Sequence, residues 1–224
     1  MPFDPTNGFG GGPLLPEALD AGKGLMAALP TIAPGLLTRG YLHWSVSSYG
    51  STFSDYNGMV VLQGGRWALV VTHDPRDNAP GLNDNAPASH TWHRNTGAFG
   101  ISIAGMMGAD VHNFGICPVQ MHQLEFLCAA AAAFCVKYGV DTNGTVVTGW
   151  THTDNDGNPV NTAGEHNLLT HAECAVIDAY PSERWDLGSF IPLPAELDLT
   201  TAMRSACGDA LRARAHLYAA ALKL

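Results

Sequence analysis

At 224 residues the chain is long enough to bury a sizeable core and fits one domain better than two. A hydrophobic fraction of 46% and a mean hydropathy of +0.02 match a soluble globular protein, and no apolar run approaches the length of a membrane span. The net charge of −9 argues against a nucleic-acid partner, which calls for a basic stripe, and against adsorption to an anionic surface by charge alone.

Residues 1–12 are rich in Gly and Pro and predict a poorly ordered start. Residues 13–29 carry a short helical pattern that Pro30 and Pro34 end. A strand is predicted at 38–46, and a hairpin at 58–63 and 66–72 around Gly64-Gly65, rich in Val, Leu and Trp. Residues 73–98 hold Asp, Asn, Pro and His without periodicity, a long loop of the kind that is functional or disordered in a compact domain. Another apolar strand is predicted at 99–105, where Gly100 and Gly105 leave room for substrate or backbone to come close.

Pro118 opens an alanine-rich helix with Met121, Leu124, Leu127, Phe134 and Tyr138 near one core-facing side, and Gly139 stops it. Residues 144–150 predict a last strand, and 151–166 a polar loop. Residues 200–222 predict a helix that docks through Met203, Cys207, Leu211, Leu217 and Leu222. This order implies an α/β fold, a central mixed β-sheet flanked by helices, with loops at the strand ends building the site.

Five cysteines without dense spacing suit a chain made in a reducing compartment. Cys128 and Cys135, on the alanine-rich helix, read as buried small hydrophobes. The opening MPFDPTNGFGGGPLLPEALD has neither a basic n-region nor an uninterrupted apolar h-region, so synthesis in the cytoplasm without a signal peptide is expected.

The densest chemistry lies in residues 168–187, LLTHAECAVIDAYPSERWDL. Imidazole and carboxylate are both good zinc ligands, and a catalytic zinc takes three protein ligands and keeps one position open. His171 and Asp186 can supply two. They are too far apart to be helix neighbours and must converge across a turn at Tyr180-Pro181-Ser182. Cys174 is an alternative to Asp186. A third ligand comes from elsewhere, and His43, at the end of the strand Tyr41-Leu42-His43-Trp44-Ser45, is the best placed. An HExxH zinc protease motif is not present.

With these three segments the chain resembles the zinc-dependent N-acetylmuramoyl-L-alanine amidases, the family of phage amidase-type lysozymes and peptidoglycan-recognition proteins. His43-Trp44-Ser45 is similar to the strand that gives that family's first ligand, Thr170-His171-Ala172-Glu173 to the second, and Arg184-Trp185-Asp186 to the basic-x-aspartate form of the third. Asp55-Tyr56-Asn57-Gly58, Ser89-His90 with Asn95, the strand Phe99-Gly100-Ile101-Ser102-Ile103-Ala104-Gly105 and the helix after Pro118 extend the likeness over residues 38–190. The chain departs from the pattern at Arg184, where lysine is frequent, and in the insertion 151–166, whose His152-Thr153-Asp154 rivals His171 as the second ligand. Only His171 runs directly into Arg184-Trp185-Asp186, which favours it; His152 is otherwise an exposed loop residue.

The resemblance implies an amidase domain at 38–190, an N-terminal extension at 1–37 and a C-terminal helical extension at 191–224 packing on it. It implies one Zn2+ per chain on His43, His171 and Asp186, with Tyr56 and Arg184 stabilising the oxyanion. Glu173 is a candidate proton shuttle or a carboxylate supporting the ligands. His90, His93, Asn95 and Trp44 are expected to meet the substrate, and Trp92, like Trp44, can pack on a sugar ring. The implied partner is peptidoglycan or a muropeptide, with no nucleic acid, no membrane insertion and a monomeric chain, acting on the cell wall after release or delivery. A non-catalytic peptidoglycan-binding module and a cytoplasmic amidase that recycles muropeptides are the alternatives.

Overall fold

A computed structural model describes residues 3–83 and 85–224. The apolar runs become β1 (Arg39–Trp44), β2 (Gly58–Gln63), β3 (Arg66–Val71) and β4 (Ala98–Ile103), followed by a small ribbon of β5 (Thr151–Thr153) and β6 (Pro159–Asn161), and by β7 (Leu168–Thr170). Among the described residues the main sheet has the order β3-β2-β4-β1-β7. β2 and β3 form the antiparallel hairpin, turning on Gly64 and Gly65 at φ 58° and 78°, a region in which glycine carries no Cβ penalty. β1 runs parallel to β4 and β7, and β4 parallel to β2. β1 and β4 are covered on both faces, so they read as continuous runs rather than as an alternation.

One face carries the helices α1 (Pro16–Ala28), α2 (Met121–Tyr138) and α4 (Thr201–Leu222); the short α3 (His171–Ile177) follows β7 directly. α2 lies on the sheet, and α1 and α4 pack on α2. The buried run Ala129–Ala133 has little side-chain bulk, which lets α1 approach so closely that a Cβ on Gly22 would sit 3.2 Å from the Ala129 carbonyl oxygen. α2 begins at Met121 under a Gln120–Gln123 capping box and ends at Gly139, φ 73°, in the left-handed cap that glycine favours. Both flanking segments join the central core, since Leu25 of α1 and Cys207, Leu211 and Tyr218 of α4 share one buried cluster with Leu42, Phe99 and Leu127.

Three expectations change. Residues 3–12 are packed: Phe9 meets Phe190 edge-on at 5.5 Å, and the Phe190 amide donates to the Pro5 carbonyl at 2.8 Å. Residues 144–150 form no strand, because β7 already occupies the edge of β1. There the chain coils tightly over 161–167, and a Cβ on Gly149 would lie 2.2 Å from the Ala163 nitrogen. α4 exposes Leu217 and instead buries Ala215, Tyr218 and three arginines, Arg204, Arg212 and Arg214. Among the described residues no helix is long and apolar enough to cross a membrane.

Candidate metal centre

Strand alternation decides what each face of β1 presents. Leu42 and Trp44 join the core under the helices, while Tyr41 and His43 face the opposite side. The register Gly40↔Leu168, Tyr41↔Leu169, Leu42↔Thr170 brings the end of β7 level with the end of β1, so His171, the next residue, arrives beside His43. Thr170 caps α3, accepting from the Glu173 amide while the Glu173 carboxylate receives the Thr170 amide, and this turns the chain sharply from strand to helix at His171. Asp186 comes back over this junction, its carbonyl accepting from the Ala172 amide at 3.2 Å.

The three side chains converge on one point. His43 Nδ1 lies 3.0 Å from His171 Nδ1, His171 Nδ1 lies 3.0 Å from Asp186 Oδ2, and His43 Nδ1 lies 3.4 Å from Asp186 Oδ2. All three residues are buried. Two imidazole nitrogens and a carboxylate oxygen facing each other need a proton or a cation between them. These separations fit a zinc ion, whose ligands at ~2.0–2.1 Å lie about 3.3 Å apart along a tetrahedral edge. Burial pushes the pKa of His43 down to about 4, keeping its lone pair free. Burial raises that of Asp186, but the facing His171 and His43 outweigh this and hold the carboxyl below the usual carboxylate range.

A residue that the sequence reading passed over completes the arrangement. Thr91 Oγ1 stands 3.2 Å from His43 Nε2 and 3.0 Å from His90 Nδ1. With His43 Nδ1 turned to the cluster, Nε2 carries the proton and donates to Thr91, whose hydroxyl donates to His90. Such an outer partner fixes the tautomer and orientation of a ligating histidine. His90 is itself buried against β4, where a Cβ on Gly100 would lie 2.3 Å from its Cγ. Gly100 therefore makes room for His90 rather than for substrate. Adjacency to His90 was the only signal in the sequence that pointed to Thr91.

Two cavities meet above the cluster, one of about 820 Å³ and one of about 440 Å³, and both are lined by Ser89, His90, His171, Glu183 and Arg184. Tyr56 and Asp186 line the smaller; His93, Asn95 and Trp92 line the larger. The ring of Tyr56 is 5.3 Å from that of His43, and burial, reinforced by the Asp186 charge, pushes its phenol up to about 12. Arg184 is exposed on the lip that the two cavities share. Trp92 is 45% exposed and stacks on His93 at 3.8 Å, while Asn95 Oδ1 holds the Thr91 amide at 2.8 Å.

Four expected roles change with position. Trp44 lines the wall of the smaller cavity but is only 2% exposed, with Trp185 and Phe114 edge-on against it, so little of its ring is open to a sugar. The Glu173 carboxylate is occupied by the Thr170 amide and by Arg212 at 2.8 and 3.0 Å, which removes it as a proton shuttle. Cys174 is fully buried beside Tyr41 and Leu169, with its thiol raised by burial, and stands outside the ligand cluster. His152 is no exposed loop residue: it lies on β5 with Nε2 2.9 Å from Asp178 Oδ1. Asp178 also binds the buried Arg94 guanidinium, whose other carboxylate partner is Glu165. This charge network ties the long loop before β4 to the β5–β6 ribbon and the end of α3.

Comparison of the chain with protein-family models, with curated proteins and with solved structures finds no match. The chemistry rests on the site itself: two histidines and an aspartate, buried where two cavities meet, form a donor set that could hold a metal ion and is consistent with a zinc-hydrolase type of site.

Proposed function

We propose that the chain is a zinc-dependent N-acetylmuramoyl-L-alanine amidase, cutting the amide between the lactyl group of N-acetylmuramic acid and L-alanine in peptidoglycan or a muropeptide. The observation that carries this reading is the convergence of His43, His171 and Asp186, the three positions at which the sequence resembles that family's ligands. Zinc, when bound, supplies a Lewis acid for the scissile carbonyl and a water of lowered pKa.

The chain's own residues supply the rest. His43 and His171 hold their Nδ1 lone pairs, and Asp186 its charge, at the floor of the cleft, while Thr91 keeps the His43 proton on Nε2. Tyr56 stays protonated at any ordinary pH, so it acts as a hydrogen-bond donor to charge developing on the carbonyl oxygen and not as a base. Arg184 adds a guanidinium on the shared lip as an electrostatic partner for that charge. The exposed face of Trp92 suits a pyranose ring in the larger cavity, with His93 and Asn95 beside it.

The test combines metal content with product analysis on the purified chain acting on sacculi, with and without a chelator. One zinc per chain and chelator-sensitive release of peptides with free N-terminal L-alanine is the expected result. Bound zinc with no cleavage of sacculi or soluble muropeptides would sink the amidase assignment. Neither zinc nor cleavage would leave a peptidoglycan-binding module.

A further inference from the structure

α4 carries chemistry that a flanking helix does not need. Arg204, Gly208 and Arg212 stand at i, i+4 and i+8, on one face of the helix. Gly208 lets the helix backbone close on α3, since a Cβ there would lie 2.3 Å from the Glu173 carboxylate. Arg212 donates to both oxygens of that carboxylate and, at 2.9 Å, to the Leu168 carbonyl at the start of β7.

Arg204 is 5% exposed, and its hydrogen bonds among the described residues go to main-chain carbonyls: Ala172 at 3.2 Å, Arg184 at 2.8 Å and Pro181 at 2.9 Å. A buried guanidinium without a bonded carboxylate costs more desolvation than an apolar side chain of its size. Ion pairing therefore does not account for it. Its forked donors do, because the carbonyls they hold follow His171 by one residue and precede Asp186 by two and five. The Ala172 amide meanwhile binds the Asp186 carbonyl, so one arginine and one peptide unit join the second and third ligand segments.

We propose that Arg204 is a positioning residue for the metal centre, fixing the Asp186 segment against His171, and that the Arg204–Gly208–Arg212 face makes α4 part of the site. The inference rests on reading His43, His171 and Asp186 as a zinc site. Full-length wild type, Arg204→Met and Arg204→Lys are compared with Arg214→Met. That control is buried equally but bonds Glu125 and the Gly12 and Pro13 carbonyls, away from the ligands.

Zinc affinity is read by chelator competition, ligand geometry by the absorption spectrum of the cobalt-substituted protein, and loop order by hydrogen exchange over 181–187 in the zinc-free chain. The expected result for Arg204→Met is a loss of roughly 10- to 100-fold in zinc affinity, the range for outer-sphere partners, with a changed cobalt spectrum and faster exchange at 181–187. Arg204→Lys should fall between it and wild type, and it keeps the comparison open if the methionine variant does not fold. Arg214→Met should keep wild-type affinity and spectrum. Unchanged zinc affinity in both Arg204 variants, or an equal loss in Arg214→Met, overturns the proposal. If wild type binds neither metal while Arg204→Met still loosens 181–187, the hydrolase reading falls and the anchoring of Asp186 stands.

Discussion

His43 and Asp186 each contribute one of three donor atoms, so removing either leaves too few ligands for a buried divalent ion. His43→Ala and Asp186→Ala should therefore lose zinc as measured by metal analysis, whereas Tyr56→Phe should retain zinc and lower turnover. Full activity in any of the three would remove that residue from its role. Thr91→Val keeps the volume but takes away the acceptor for His43 Nε2, and its expected loss is about 10- to 100-fold in zinc affinity with an unchanged circular dichroism spectrum. Protonation gives a further handle. His43 has its pKa lowered from 6.5 to about 4 by burial, so the folded state disfavours the charged form that the unfolded chain accepts. The associated stability is complete above pH 6.5 and is lost as pH falls towards 4 in the zinc-free chain. Burial lowers His90 as well, with the same sign. Denaturant unfolding at stepped pH with chelator present tests this, and a flat profile between pH 7 and 4.5 would contradict it.

Among the elements, the β7–α3 junction and the loop before β4 do most to shape the site. β7 is only three residues long, yet its parallel pairing with β1 and the Thr170 cap set where His171 emerges. The long loop is held by Arg94, whose guanidinium is enclosed by Asp178 and Glu165. Breaking a buried pair from one side strands the other charge, so Asp178→Asn should cost about 3–5 kcal/mol by chemical denaturation. It should also loosen the segment that carries His90, Thr91 and His93. An effect under about 1 kcal/mol would show that the network is solvated in practice. His152→Ala, which removes one hydrogen-bond partner of the same carboxylate, should cost less and leave zinc content intact, as expected of a residue outside the ligand set.

For the molecule as a whole, zinc that binds the folded chain alone must stabilise it. At free zinc about 100-fold above Kd the gain is about 2.7 kcal/mol, which for a domain of this size corresponds to roughly 5–10 °C in Tm. Calorimetry with zinc and with excess chelator should show that difference, and it should vanish in Asp186→Ala. How much of this was legible beforehand follows from the range of each interaction. The apolar runs at β1, β2, β3 and β4, the glycine turn at 64–65 and the stop at Gly139 depend on neighbours in the chain, and there pattern and structure agree. The grouping of His43, His171 and Asp186 was also legible, because ligand chemistry restricts the residue types and their order resembles that of a known family's ligands. Side-chain surroundings were not. Glu173 was drawn away by an arginine 39 residues distant, Trp44 was sealed by Trp185, and the run 144–150 lost its place at the sheet edge to β7. The sequence by itself determined β1 to β4, the three longer helices and the three donor types. Tertiary structure alone decided that Thr91 meets His43 and that α4, through Arg204, reaches the carbonyls beside His171 and Asp186, because both contacts join segments whose spacing carries no periodic signal.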